Sequence, residues 1–275
     1  MSATEPRTPA WSMVSGLAVG LLAVAAIGGA IMAFWSYLFH ESIAPAIPPD
    51  AGPEVSLPRQ EDDPFAVARR RMVDEQLRGR DIVSPRVLQA MGRVAREQFV
   101  AREMGSHAYA DFPLPIGLGQ TISQPYIVAL MTQLARPTPE SRVLEVGVGS
   151  GYQAAILAEL CKEVYGIEIL PSLADGARER LNSLGYRNVT IRCGDGYRGW
   201  PEQAPFDVIL VAAAPDHVPQ PLVEQLAPGG RMILPVGHGF QELLLIRKRH
   251  DGSIDRQSLA PVQFVPMTGE AEQSR

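Results

Sequence analysis

Short apolar runs carrying β-branched residues recur along the second half of this chain, separated by stretches whose apolar positions return at helical intervals. Val143-Leu144-Glu145-Val146 is the first such run, and Ala154, Ala155, Ile156 and Leu157 follow it at helix spacing. Runs at 164–169, 189–193, 206–213, 231–236 and 242–249 repeat the strand signature. The alternation predicts an α/β fold: a doubly wound, mostly parallel sheet of about seven strands with helices on both faces. Upstream, Val73, Leu77, Ile82, Val87, Leu88, Met91, Val94 and Phe99 sit mostly at helical spacings, broken at Gly79 and at Ser84-Pro85. A further helix is expected from about Pro125 to Leu134. Between these helical stretches, residues 108–125 are rich in proline and glycine, and a loop that long within a compact domain is usually functional.

The N-terminal pattern differs. Residues 8–40 hold no Asp, Glu, Lys or Arg, and a span needs roughly 20 apolar residues, so residues 11–39 predict a transmembrane helix contacting the lipid bilayer. Trp11 at one end, with Trp35 and Tyr37 at the other, fits interfacial anchoring. Six prolines among acids and small residues make residues 41–65 an extended linker. The expected organisation is an anchor over 1–40, a linker over 41–65 and a catalytic domain over 66–275. Arg7 before the span weakly favours an external domain by the positive-inside rule, whereas a methyl donor made in the cytosol favours the cytoplasmic side. The expectation is therefore a cytoplasmic, monomeric catalytic domain tethered to the inner membrane. Arg69-Arg70-Arg71 reads as a solvated helix face.

Composition adds little beyond exclusions. A net charge of -5 leaves no basic footprint for nucleic acid. Cys161 and Cys193 read as buried reduced thiols, and His107, His217 and His238 lack metal-ligand spacing, so no metal is expected.

The candidate chemistry centres on Glu145-Val146-Gly147-Val148-Gly149-Ser150-Gly151-Tyr152, a strand, a glycine turn and a helix start. Glycine there permits φ > 0 and a close ligand approach, and such corners bind nucleotides. A dinucleotide fingerprint needs glycine at 152, where tyrosine stands, which disfavours a nicotinamide-dependent oxidoreductase. The E-x-G-x-G-x-G form instead resembles S-adenosylmethionine-dependent methyltransferases, whose cationic donor suits a loop bearing Glu145. Glu168, at the end of the second strand, is placed to accept from ribose hydroxyls. Asp195, beside Gly196 at the end of the third, is placed to meet an adenine amino group.

A more specific resemblance lies upstream. Leu114-Pro115-Ile116-Gly117, with Gly119-Gln120-Thr121-Ile122-Ser123-Gln124-Pro125, is similar to the signature of protein-L-isoaspartate O-methyltransferases. So are 94–100, 206–214 and 226–237, although Ala95 stands where the family usually has proline and Ala212 where threonine is common, and Phe264-Val265-Pro266 resembles the family's closing strand. The resemblance covers roughly 70–267. It implies methyl transfer from S-adenosylmethionine to the α-carboxylate of isoaspartyl residues in damaged proteins and peptides, whose ester then collapses to a succinimide unaided. It also implies that Ser123 holds the substrate carboxylate, that Thr121 and Ile122 shape the same loop, and that Asp111 orders that loop over the cofactor. On the residues alone, Ser123 serves equally as a helix N-cap, Asp111 as a turn residue and Glu145 as a cap for a backbone amide. A tethered donor-binding module without turnover, or a methyltransferase for another acceptor, remains the alternative.

Overall fold

The structure is a computed structural model describing residues 63–273. The expected membrane span at 11–39 lies outside the described residues, as does the linker through residue 62. Among the described residues, no helix is long and apolar enough to cross a membrane.

A hairpin of β1 (Leu114–Gly117) and β2 (Gln120–Ile122) stands apart from the main sheet. The sheet itself comprises β3 (Arg142–Val146), β4 (Glu163–Glu168), β5 (Val189–Cys193), β6 (Phe206–Val211), β7 (Leu226–Val236), β8 (Gln241–Lys248) and β9 (Ile254–Val262), in the order β5-β4-β3-β6-β7-β8-β9. Pairing is parallel from β5 through β7, and antiparallel for β7–β8 and β8–β9. The closing strand is thus residues 254–262, not the expected 264–266. Only residues 249–253 separate β8 from β9, so β9 needs no crossover and pairs as a hairpin with β8. Pro266 makes only an isolated bridge to Ala214.

Strand alternation sorts the core into two layers. Val143, Val208, Leu210, Ile233, Leu243 and Leu245 pack into one cluster, and Leu144, Val146, Ile209, Val211, Met232 and Leu244 into the other. Helices α2 (Pro85–Arg93), α3 (Pro125–Ala135), α4 (Tyr152–Ala158) and α5 (Pro171–Ser183) carry the first layer, preceded by α1 (Ala66–Arg71), whose one buried residue is Arg69. The second is covered by α6 (Gln220–Gln225) and α7 (Glu270–Gln273), through Leu222 and Ala271. Helix α1 runs into a π-helical segment, Met72–Arg78, that buries Met72, Val73 and Leu77. Proline at the first turns of α2, α3 and α5 suits positions whose N–H has no intrahelical partner. Helix α3 is buried around most of its circumference, from Tyr126 to Ala135, which its nearly continuous apolar sequence requires.

Candidate active site

The strand order reverses beside β3, and the crevice at the carboxyl ends of these parallel strands is where such sheets take ligands. A cleft opens there. Its walls include Glu145–Ser150 and Gln153 after β3, Ile167–Leu170 after β4, Gly196 after β5, and Leu210, Ala212 and Ala213 after β6. Leu118, Gln120, Thr121, Ile122 and Ser123 form the lip, and Val265–Thr268 closes the far side.

Glu145 is fully buried, and neither carboxylate oxygen has a hydrogen-bond partner among the described residues. It therefore caps no amide. Desolvation, reinforced by the neighbouring Glu168 charge, holds its carboxyl well above the usual carboxylate range. An orphaned acid in a mostly apolar cleft is matched to a ligand that brings cationic or hydrogen-bond donor groups. Glu168, also buried, accepts from the Gly149 N–H (2.8 Å) through Oε2 and from the Leu170 N–H (3.0 Å) through Oε1. It splints the glycine turn, and each oxygen retains a lone pair toward the cleft. Gly147 and Gly149 line the cleft at φ 83° and 54°. A Cβ on Gly196 would lie 2.3 Å from Val146 Cγ1, so only glycine permits that wall. These features fit S-adenosylmethionine.

Two expected cofactor residues have other work. Asp195 is not on the cleft lining. Its oxygens accept from the Tyr197 N–H (2.9 Å) and from the Glu270 N–H (2.8 Å), pinning the start of α7 across the end of β5. Gly151 is likewise absent from the lining. At φ 90°, a Cβ there would meet Leu181 Cδ1 at 3.1 Å, so it lets α5 approach the start of α4. Tyr152, where a dinucleotide site needs glycine, points into the core and packs edge-on against Phe99.

The lip is held from behind by charges that periodicity does not reveal. Arg96 is fully buried, donating through Nε to the Ala108 carbonyl and through Nη2 to the Ser123 carbonyl, both at 2.7 Å. Its guanidinium stacks over the Tyr152 ring at 4.7 Å, and desolvation lowers its pKa. One buried arginine thus ties the substrate loop to the first residue of α4. The Tyr109 hydroxyl donates to Glu97 and accepts from Arg69 Nε (2.7 Å) and the Arg96 N–H (3.2 Å). Arg69 also pairs with Asp63 (3.0 Å) and Glu97 (3.3 Å), so the first arginine of the triplet is buried rather than solvated. Arginine within an apolar helical stretch was the one available signal.

Ser123 does not cap α3. The cap position is Gln124, without a side-chain bond, and the Ser123 hydroxyl is left to the cleft. Thr121 is exposed and Ile122 buried, both on the lining. Asp111 lies off the lining and pairs with Arg80 (3.1 Å), which stacks over Tyr126 of α3. It orders the loop from outside. Asp207 accepts from the Arg142 N–H (2.8 Å), joining β6 to β3, and His217 bonds the Tyr197 hydroxyl rather than standing solvated alone. Trp200 packs edge-on against Tyr165. Cys161 is buried, its thiol pushed up to about 12 by burial, whereas Cys193 is exposed, against expectation. It ends β5, and its thiol lies 3.7 Å from the Ile169 carbonyl.

Sheet and cleft together define a Rossmann-like methyltransferase. The profile of the protein-L-isoaspartate(D-aspartate) O-methyltransferase family matches residues 68–272. A protein-L-isoaspartate O-methyltransferase of Synechococcus sp. is 54% identical over 236 residues, covering 83% of this chain and 95% of the relative. One from Polaromonas sp. is 55% identical over 194 residues, covering 70% and 92%. A solved protein-L-isoaspartate O-methyltransferase superposes with a TM-score of 0.69 at 30% identity, over 74% of this chain and 67% of that one. A Plasmodium falciparum structure assigned to the same enzyme, in complex with S-adenosyl-L-homocysteine, gives 0.64 at 28% identity over 73% and 98%. The chain belongs to the protein-L-isoaspartate O-methyltransferase family.

Proposed function

We propose that this chain methylates the α-carboxylate of L-isoaspartyl residues in damaged proteins and peptides, initiating their repair. The observation that carries the reading is the placement of Thr121, Ile122 and Ser123 on the same cleft as Glu145, Gly147 and Gly149. S-adenosylmethionine, when bound, supplies an electrophilic methyl group. Glu145, Glu168 and the turn from Gly147 to Gly149 hold it, with Gly196 leaving room for it. The acceptor is a carboxylate, ionised at neutral pH, so the site needs no general base. What it must supply is orientation and partial removal of water. Ser123 donates its hydroxyl to one carboxylate oxygen while the other attacks, and Arg96 fixes the backbone that carries Ser123. Asp111 acts at a distance, as a loop tether, and Asp195 is a clasp on α7. Asp195, next to the cleft-lining Gly196, keeps lone pairs for an adenine amino group beside its two backbone bonds, and Gly151 completes the turn while letting α5 pack.

The test uses the full chain, labelled S-adenosylmethionine and paired peptides with isoaspartate or aspartate at one position. Base-labile methyl ester on the isoaspartyl peptide alone is expected, with Ser123→Ala lowering turnover roughly 100-fold or more, as for loss of one oriented donor. Donor binding without transfer to either peptide rejects the reading and favours the binding module.

The charge-free run at 8–40 supports a second part of the proposal, a tether through residues 11–39, and a methyl donor made in the cytosol favours the cytoplasmic face for a monomeric catalytic domain. Carbonate-resistant membrane association, lost on deleting residues 1–40, is the expected result. Protease resistance of the catalytic domain in intact cells tests the side.

A further inference from the structure

The tip of the β1–β2 hairpin is three successive residues in the left-handed region: Gly117 at φ 92°, Leu118 at 53° and Gly119 at 72°. Glycine takes this conformation without penalty, and leucine does not. A Cβ on either glycine would meet nothing within 4 Å, so conformation alone, not space, favours glycine at this tip. Leucine nonetheless stands at its centre, 62% exposed and on the lip of the cleft. It gains neither backbone ease nor burial within its own chain. Scattered surface leucines are ordinary, but one held in a disfavoured conformation at a ligand cleft indicates a functional use.

The base of the hairpin is rigid. Leu114 pairs with Ile122, both buried, and a Cβ on Gly149 would lie 3.1 Å from Ile116 Cδ1, so the hairpin rests against the glycine turn. Leu118 is therefore carried at a fixed offset from the donor site. The lip from Leu118 to Ser123 contains no charged residue. Resting on the proposed isoaspartyl activity, we propose that Leu118 is a specificity contact, receiving an apolar side chain on a residue adjacent to the isoaspartate.

The test is steady-state kinetics of the full chain and of Leu118→Gly and Leu118→Glu. Two isoaspartyl peptide sets are used, with leucine or with aspartate at both flanking positions. The parent is expected to prefer the leucine-flanked set. Leu118→Gly should raise KM for that set about fivefold, the scale of a partly buried apolar contact, leave kcat within about twofold and bring the two sets together. Its melting temperature should equal or exceed the parent's, because the left-handed constraint is relieved. Leu118→Glu should depress the aspartate-flanked set further. A parent with no preference, an equal loss on both sets, or a fall in kcat alone overturns the inference while leaving the isoaspartyl reading standing. A parent that methylates neither set overturns both.

Discussion

Glu145 and Arg96 show how single buried charges set this site. Glu145 keeps its proton in the folded chain to a pH above the ordinary 4.5, so the folded state binds more protons than the unfolded state beyond that point. Its contribution to stability is present below the unfolded value and lost as pH rises through the folded one. Glu145→Gln is expected to remove that slope, melting at or above the parent near pH 8 and matching it near about pH 4, in thermal scans across the interval. A cationic ligand in the cleft draws the carboxyl toward its ionised form. Donor binding should therefore release a proton from the parent and none from the Gln variant, read by calorimetry in two buffers of different ionisation enthalpy. Arg96→Met leaves the Ala108 and Ser123 carbonyls without their donor, and a loss of about 2–4 kcal/mol in denaturant unfolding is expected. Lysine supplies a point charge rather than a fork, so Arg96→Lys should recover part of the stability but not the full activity.

At the scale of elements, glycines that look alike in sequence divide by what surrounds them. Gly151→Ala strains a left-handed residue and pushes on Leu181 of α5, so it should cost about 1–2 kcal/mol of stability, and donor affinity measured well below the melting temperature should change little. The parallel strands of the sheet and the helix from Pro125 were readable from period and spacing, and the loop motif from its family resemblance. The roles of Gly151 and Asp195 were not. Spacing locates a strand-end acid, but the partner of Asp195 is a backbone amide 75 residues away, brought there by a C-terminal segment with no strong period. Arg69 and Arg96 were hidden for the same reason: a buried charge is identified by its partners, and those come from the fold. β9 was missed because Ile254–Val262 is mostly exposed and carries little of the alternation that marks a half-buried strand.

The molecule as a whole draws its cleft from stretches between Leu118 and Thr268, so no isolated segment contains it. Truncation after Val262 removes Val265–Thr268 from the wall, along with Phe264, Met267 and Ala271 from the core. Loss of donor binding together with a lowered melting temperature is expected, by calorimetry and thermal scan on the same sample. Thiol titration offers a simple check on integrity. Of two cysteines, Cys193 should react in the folded chain and Cys161 only after unfolding.

Because the walls of the cleft come together only in the folded domain, a donor held there would bind the folded domain and not the unfolded chain. At a concentration 100-fold above its dissociation constant, such a ligand adds about 2.7 kcal/mol to stability, lowering the population open to proteases roughly a hundredfold. Donor supply is therefore expected to set how long the enzyme resists proteolysis as well as how fast it turns over, which limited proteolysis with and without S-adenosylmethionine checks.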